Sequence, residues 1–181
     1  MTGMTFTFPK EITQIKSRKT GKIYSLARAD KVLLGETAIK QISKVCDEPE
    51  VYENVFAEIF KGKRYSEDNA CTFTKLVSEG WVKANRFDWL ILHEEEIVGT
   101  IGIKSLEGEI GYWQSNKHPG VMTSATQTLC SLAQEAGFSS LWAYVKKENA
   151  ASINVLESAG FKLDADLTAK RGDTYGYRIS F

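Results

Sequence analysis

A chain of 181 residues with 43% hydrophobic and 25% charged side chains is long enough to bury one core without disulfides or a metal. Its 23 Lys plus Arg balance 23 Asp plus Glu, so no net field draws it to nucleic acid or to an anionic membrane. Cys46, Cys71 and Cys130 lack CxxC spacing and have only His93 and His118 to join them, which points away from a disulfide framework or zinc site and toward reduced, half-buried thiols in the cytoplasm.

Residues 1–20 are polar and basic with few apolar anchors, and read as an N-terminal arm, either flexible or lying along a sheet edge. The arm lacks the apolar core of a signal peptide, and no apolar run nears the roughly 20 residues needed to cross a bilayer. Its Lys10, Lys16, Arg18 and Lys19 are read as solvated charge. One domain is expected over 21–181, because no repeat or composition break marks a linker.

That domain opens with a strand over 22–27. Asp30 is placed to cap a helix with the stripe Leu34, Ala38, Ile42 and Val45, ended by Pro49. Val51, Tyr52, Val55, Phe56, Ile59 and Phe60 predict a short helix stopping at Gly62. Ser66 then caps a third helix with the stripe Ala70, Phe73, Val77, Trp81 and Ala84. The period next falls to two: Phe87, Trp89 and Ile91, then Ile97, Gly99, Ile101 and Ile103, form a hairpin turning at Glu94, Glu95 and Glu96. Three adjacent carboxylates cannot all face one ion, so the turn is solvated and not a metal site. A third antiparallel strand is expected over 109–113.

Val121, Ala125, Leu129, Leu132, Ala133 and Ala136 line one face of a helix ending at Gly137. A strand over 141–145 follows, then a helix capped by Asn149, carrying Ile153, Leu156 and Ala159 and closing on Gly160-Phe161. Two last strands are expected near 161–167 and 174–181. Together these elements predict a mixed α/β (α+β) fold, a mostly antiparallel central sheet flanked by helices.

The chemistry is expected where strand 109–113 runs through a Gly-containing loop, 114–120, into the helix at Val121. Free amides and the helix dipole converge there and suit an anion. The blocks EIGYW (109–113), GVMTSATQTL (120–129) and ENAASINVLESAGF (148–161), in that order and spacing, resemble the GNAT superfamily of acetyl-CoA-dependent N-acetyltransferases. The subgroup resembled most is the one that acetylates ribosomal-protein N-termini.

That resemblance implies a GNAT fold from about residue 20 onward, in which the strand before the loop splays from its neighbour and the coenzyme's pantetheine arm lies along the exposed edge, as in β-augmentation. It implies pairing by the main chain of Tyr112, Trp113 and Gln114, a diphosphate cradle from Gly120, Val121, Met122 and Thr123, and Asn149 and Ser152 beside the thiol. The loop departs from the family's Gln/Arg-x-x-Gly-x-Gly/Ala: it reads SNKHPG, with His118 at the first Gly position, and Pro119 brings no N–H. Lys117 is the charge available instead. His118 is expected at the loop surface or against a phosphate, and His93 is expected to be structural.

Many family members carry a Tyr four residues before the Gly of Gly-Phe to protonate the leaving thiolate; Leu156 stands there. The ribosomal-protein type points instead to Ser152 as proton donor and to Asp164, where the usual residue is Glu, as base. Glu109, opening the coenzyme strand on the face of Gly111 and Trp113, is the other carboxylate weighed. Trp81, Phe87, Trp89, Trp113, Trp142 and Tyr144 are divided between core and acceptor groove by nothing in the sequence. The implied activity is acetyl transfer from acetyl-CoA, without a metal, to an amine, either a protein N-terminus or a small molecule, in a monomer or homodimer. The alternative is a catalytically weak or inactive acyl-CoA-binding regulatory module.

Overall fold

The computed structural model describes residues 6–181. A five-stranded antiparallel sheet runs β1 (Ile12–Lys16), β2 (Ile23–Arg28), β3 (Phe87–His93), β4 (Glu96–Ile103) and β5 (Ile110–Gln114), each strand pairing with the next. A three-stranded antiparallel sheet follows in the order β6 (Ser140–Lys146), β8 (Thr174–Ser180), β7 (Lys162–Leu163). Between β2 and β3 lie α1 (Glu36–Cys46), α2 (Pro49–Val51), a π-helical turn (Tyr52–Phe56), α3 (Ala57–Phe60) and α4 (Glu67–Lys83). α5 (Val121–Ala136), α6 (Ala150–Ser158) and α7 (Ala165–Lys170) connect the later strands. This is the expected architecture of an antiparallel sheet flanked by helices.

β3 and β4 are buried along nearly their whole length, because both faces of the five-stranded sheet are covered. On one face Trp89, Ile101 and Ile103 pack with Leu129 of α5, Leu141 of β6 and Leu156 of α6. On the other, Leu90, Ile97 and Trp113 pack with Ile42 of α1 and Val77 of α4. Burying a side chain of this kind stabilises by roughly 1.5–3 kcal/mol, so the two layers fix where the ends of β5 and β6 fall.

Several boundaries follow the local signals. Ser66 and Asn69 form a reciprocal capping box on α4, and Gly137, at φ +101°, ends α5. After α6 the N–H of Gly160 donates to Glu157 O and that of Phe161 to Leu156 O, the bond pair of a Schellman ending.

Other expectations are corrected. Residues 1–5 of the arm lie outside the described residues. Its remainder takes the second of the two expected forms, lying along a sheet edge: Ile12–Lys16 is the edge strand β1, and Phe6 stacks on Phe138 at 3.8 Å. Asp30 caps no helix; it accepts from Arg28, and α1 begins after Gly35. The helix over 51–60 is interrupted by the π turn. The hairpin turn is Glu94 and Glu95, the former at φ +57°, while Glu96 already pairs with His93. Residues 161–167 are not a long strand, because after Leu163 the chain turns into α7. Asp164 caps that helix, Asp166 occupies its first turn and Lys170 its last, the charge order a helix dipole favours.

Candidate active site

Among the described residues β5 is paired along one edge only. From Ile110 to Gln114 every residue opposes one of β4, Ile103 to Gly99. Toward β6 there is a single parallel bridge, Glu109 to Trp142, secured by the Trp142 N–H donating to Gly108 O at 2.9 Å and its indole N–H to Glu107 O at 3.1 Å. Past the bridge the strands part: β6 takes β8 as its ladder partner, and Gly111 to Gln114 face a gap with their outer main-chain edge. β5 leads into α5 and β6 into α6, so two helix N-termini converge at the mouth of that gap, where dipoles and unpaired amides favour an anion.

The two termini differ. α5 has Gly120 as N-cap, at φ +80°, and no side chain caps it, which leaves its first-turn amides, among them Val121, Met122 and Thr123, without intrahelical partners. A Cβ on Gly120 would lie 2.8 Å from Lys19 N, so only glycine fits both the dihedral and the space. α6 is capped by Asn149, whose Oδ1 accepts from Ser152 N at 3.0 Å.

Contacts absent from the sequence reading hold the loop over 115–120. The β1–β2 turn packs on it: Ser17 Oγ donates to Pro119 O at 2.8 Å, Arg18 N to Gly120 O at 3.1 Å, and Ser124 Oγ to Lys16 O at 2.7 Å. From the other side Glu48 accepts from Ser115 Oγ at 2.8 Å and from Asn116 N at 3.2 Å. Lys117 is exposed. His118 does not lie free on the loop surface; Nδ1 is 3.1 Å from Tyr24 Oη and its ring sits 5.3 Å from that of His93. Burial, then the neighbouring His93 and Lys22, holds its imidazole below the usual histidine range, against Glu96 and Glu48. Gln114 donates through Nε2 to His118 O at 3.2 Å, while its buried Oε1 has no hydrogen-bond partner among the described residues.

The structure brings Tyr112 and Ser152 together across the gap, Oη to Oγ at 2.6 Å, and sets the two carboxylates apart from them in ion pairs. Glu109 holds Lys104 Nζ at 2.6 Å. Asp164 accepts from Leu167 N at 2.9 Å as the α7 cap and from Arg178 Nε at 2.7 Å. The Arg178 bond, then the cap bond, holds its carboxyl below the usual range. Because β8 stands between β7 and β6, Asp164, directly after β7, lies two strand spacings, about 10 Å, from β6 and further from the gap. It borders a surface groove of about 560 Å³ with Lys162 and Ile179. Leu156 is 1% exposed, a core residue.

The aromatics divide cleanly. Phe87, Trp89 and Trp113 are buried, and Trp81 packs beside them. Trp142 and Tyr144 are half-buried on β6, 5.3 Å apart, with the Arg171 guanidinium 4.3 Å over the Tyr144 ring.

A family model described as an acetyltransferase (GNAT) domain matches residues 32–162. No curated relative matches the sequence. Among solved structures, RimJ of Mycobacterium smegmatis in complex with a CoA disulfide is similar at 17% identity and TM-score 0.73, over 96% of this chain and 88% of that one. RimL, a ribosomal L7/L12 α-N-protein acetyltransferase in complex with coenzyme A, is similar at 16% identity and TM-score 0.71, over 93% and 98%. The microcin C7 self-immunity acetyltransferase MccE, with acetyl-CoA and AMP, is similar at 16% identity and TM-score 0.69, over 87% and 92%. At these identities the likeness is one of fold.

Proposed function

The chain belongs to the acetyltransferase (GNAT) domain family, and from that premise we propose that it is an acetyl-CoA-dependent N-acetyltransferase acting on a primary amine. The observation that carries the proposal is the gap past the Glu109–Trp142 bridge, with an uncapped helix N-terminus at Gly120 opening onto it. The residues present suit the cosubstrate. Tyr112, Trp113 and Gln114 offer a main-chain edge to a pantetheine amide, and Gly120, Val121, Met122 and Thr123 offer donors to a diphosphate, with Lys117 exposed beside them. Asn149 and Ser152 stand at the opposite wall, where the thioester end falls.

Acetyl-CoA supplies an activated acyl carbonyl and a sulfur leaving group. The protein's part is to fix that carbonyl against an incoming neutral amine and to exclude water, the kind of positioning that removes most of the barrier in direct transfer. Ser152 is the donor we assign to the sulfur. Glu109 and Asp164 remain the carboxylates proposed as base, each acting only once its ion pair with Lys104 or Arg178 opens; Glu109, at the bridge, is the nearer to the gap.

A protein N-terminus is the acceptor we favour over a small amine. Two structures of the same fold are RimJ and RimL, the latter named for a ribosomal-protein substrate, and the half-buried Trp142 and Tyr144 offer a broad face instead of a closed carboxylate pocket. The cytoplasm is the compartment we infer, from three unpaired thiols.

The test measures thiol released from acetyl-CoA with peptides bearing N-terminal Ser or Ala and with a panel of small amines, alongside calorimetric titration with CoA. Turnover with a peptide supports the proposal. CoA binding with no acceptor raising thiol above background replaces the enzyme with the regulatory module, and an empty titration removes both.

A further inference from the structure

Ser152 sits in the first turn of α6, where a serine commonly donates its proton to a carbonyl three or four residues back. Among the described residues it makes no such bond. Its Oγ has one partner, Tyr112 Oη at 2.6 Å. The same phenol lies 3.2 Å from the main-chain oxygen of Ser152. Tyr112 stands on β5 opposite Ile101, its ring against the core shared by α5 and α6.

The phenol has one proton for two acceptors. At 2.6 Å either hydroxyl can donate to the other, and the phenol can also donate to the main-chain oxygen; once a sulfur accepts from Ser152 Oγ, the phenol is the donor within reach of the serine oxygen. In that arrangement the serine proton is directed to the sulfur while the serine oxygen keeps Tyr112 as its donor. Burial also holds the Tyr112 phenol well above its ordinary range, so it keeps the proton it needs as a donor.

We propose that Tyr112 is a positioning residue for acetyl transfer, its hydroxyl donating to Ser152 Oγ and so committing the serine proton to the sulfur of the coenzyme. The inference rests on the acetyl-CoA reading above. As the carbon–sulfur bond breaks, its electron pair stays on sulfur and the Ser152 O–H donates a hydrogen bond to it. Tyr112 keeps its proton throughout, and the proton that finally neutralises the thiolate is the one lost by the attacking amine. The phenol that the resemblance places in α6 is replaced by the core residue Leu156, and one from β5 reaches the same neighbourhood across the gap.

CoA itself is the probe. With protein in excess, the alkylation of bound CoA by iodoacetamide is followed by mass spectrometry as a function of pH, so that Cys46, Cys71 and Cys130 do not interfere. In the wild type the midpoint is expected about one pH unit below that of free CoA, since hydrogen bonding to the charged form favours it. Tyr112→Phe and Ser152→Ala each move the midpoint back toward free CoA, and the double variant goes no further than Ser152→Ala, the non-additivity of groups acting as a unit. Tyr112→Phe keeps the ring, and Ser152→Ala tests the same pair should the first variant fold poorly. An unshifted wild-type midpoint, or one unchanged in Tyr112→Phe, overturns the inference alone. So does CoA binding that tightens more than threefold in Tyr112→Phe, which makes the phenol an obstacle in the gap. If calorimetry shows no CoA binding to the wild type, the acetyl-CoA reading fails and the inference goes with it.

Discussion

The two halves that meet at the gap are built on opposite terms. The five-stranded half brings main chain whose hydrogen-bonding capacity is left open: an unpaired edge on β5 and an uncapped α5 behind Gly120. The three-stranded half brings side chains already paired: Asn149 with Ser152 N, and Asp164 with Leu167 N and Arg178. A glycine N-cap forgoes a few tenths of a kcal/mol of available stability, on the order of 0.3 kcal/mol. The half that forgoes it is the half proposed to receive the coenzyme, and the other half holds its groups still.

Breaking the open half is expected to have the largest effect. Gly120→Ala forces a Cβ onto Lys19 N and a side chain into a left-handed dihedral. The dihedral alone costs roughly 1–2 kcal/mol, and relief comes only by shifting the loop or the β1–β2 turn. CoA affinity is expected to fall more than tenfold in calorimetry, with a lowered melting temperature. Wild-type affinity in a folded Gly120→Ala protein would mean that the α5 amides are not the cradle.

A smaller effect is expected from the closed half. Asp164→Ala removes an N-cap, at about 1 kcal/mol, and strands the Arg178 guanidinium. Stability measured by urea unfolding should fall by that order. If the carboxylate is chiefly structural, kcat with a peptide acceptor falls less than threefold and Asp164→Asn recovers most of the stability through its cap oxygen. A loss of kcat of about a hundredfold, the order general-base catalysis supplies, with stability restored in Asp164→Asn, would instead identify Asp164 as the base.

How far each half was legible follows from the range of its contacts. Asn149, Ser66, Gly137 and Gly160 act within a turn of their own position, and their signals were sufficient. α7 carries a local signal as well, Asp164 then Asp166 then Lys170, but a strand is expected near 161–167, and the sheet supports it for only two residues. The contacts that shape the loop are long-range: Ser17 to Pro119 and Arg18 to Gly120 join a segment that reads as an arm to one a hundred positions on. Nothing local in either partner announces them. Tyr112 was placed by its main chain alone, since the reach of its phenol to Ser152 depends on how α6 lies over β5.

His118 gives the smallest and most selective expected effect, because it belongs to the open half yet is itself enclosed. Burial beside Tyr24, His93 and Lys22 holds its folded pKa below the unfolded value near 6.5. A group depressed in this way contributes stability that is fully present above the unfolded pKa and is lost as pH falls toward the folded one, since the unfolded chain binds the extra proton. Asp164, also depressed, acts in a separate window, below about pH 4. Melting temperatures between pH 5 and 8 should therefore decline on the acid side of about pH 6.5 in the wild type and decline less in His118→Gln, which removes the titration while keeping an acceptor for Tyr24. CoA affinity should weaken over the same interval, because a charged imidazole pressed against His93 and Lys22 displaces the loop that carries Gly120. Parallel acid limbs in the two proteins would show that the ring is neutral for reasons unconnected with the loop, and that the open half owes its shape to Glu48 and the β1–β2 turn alone.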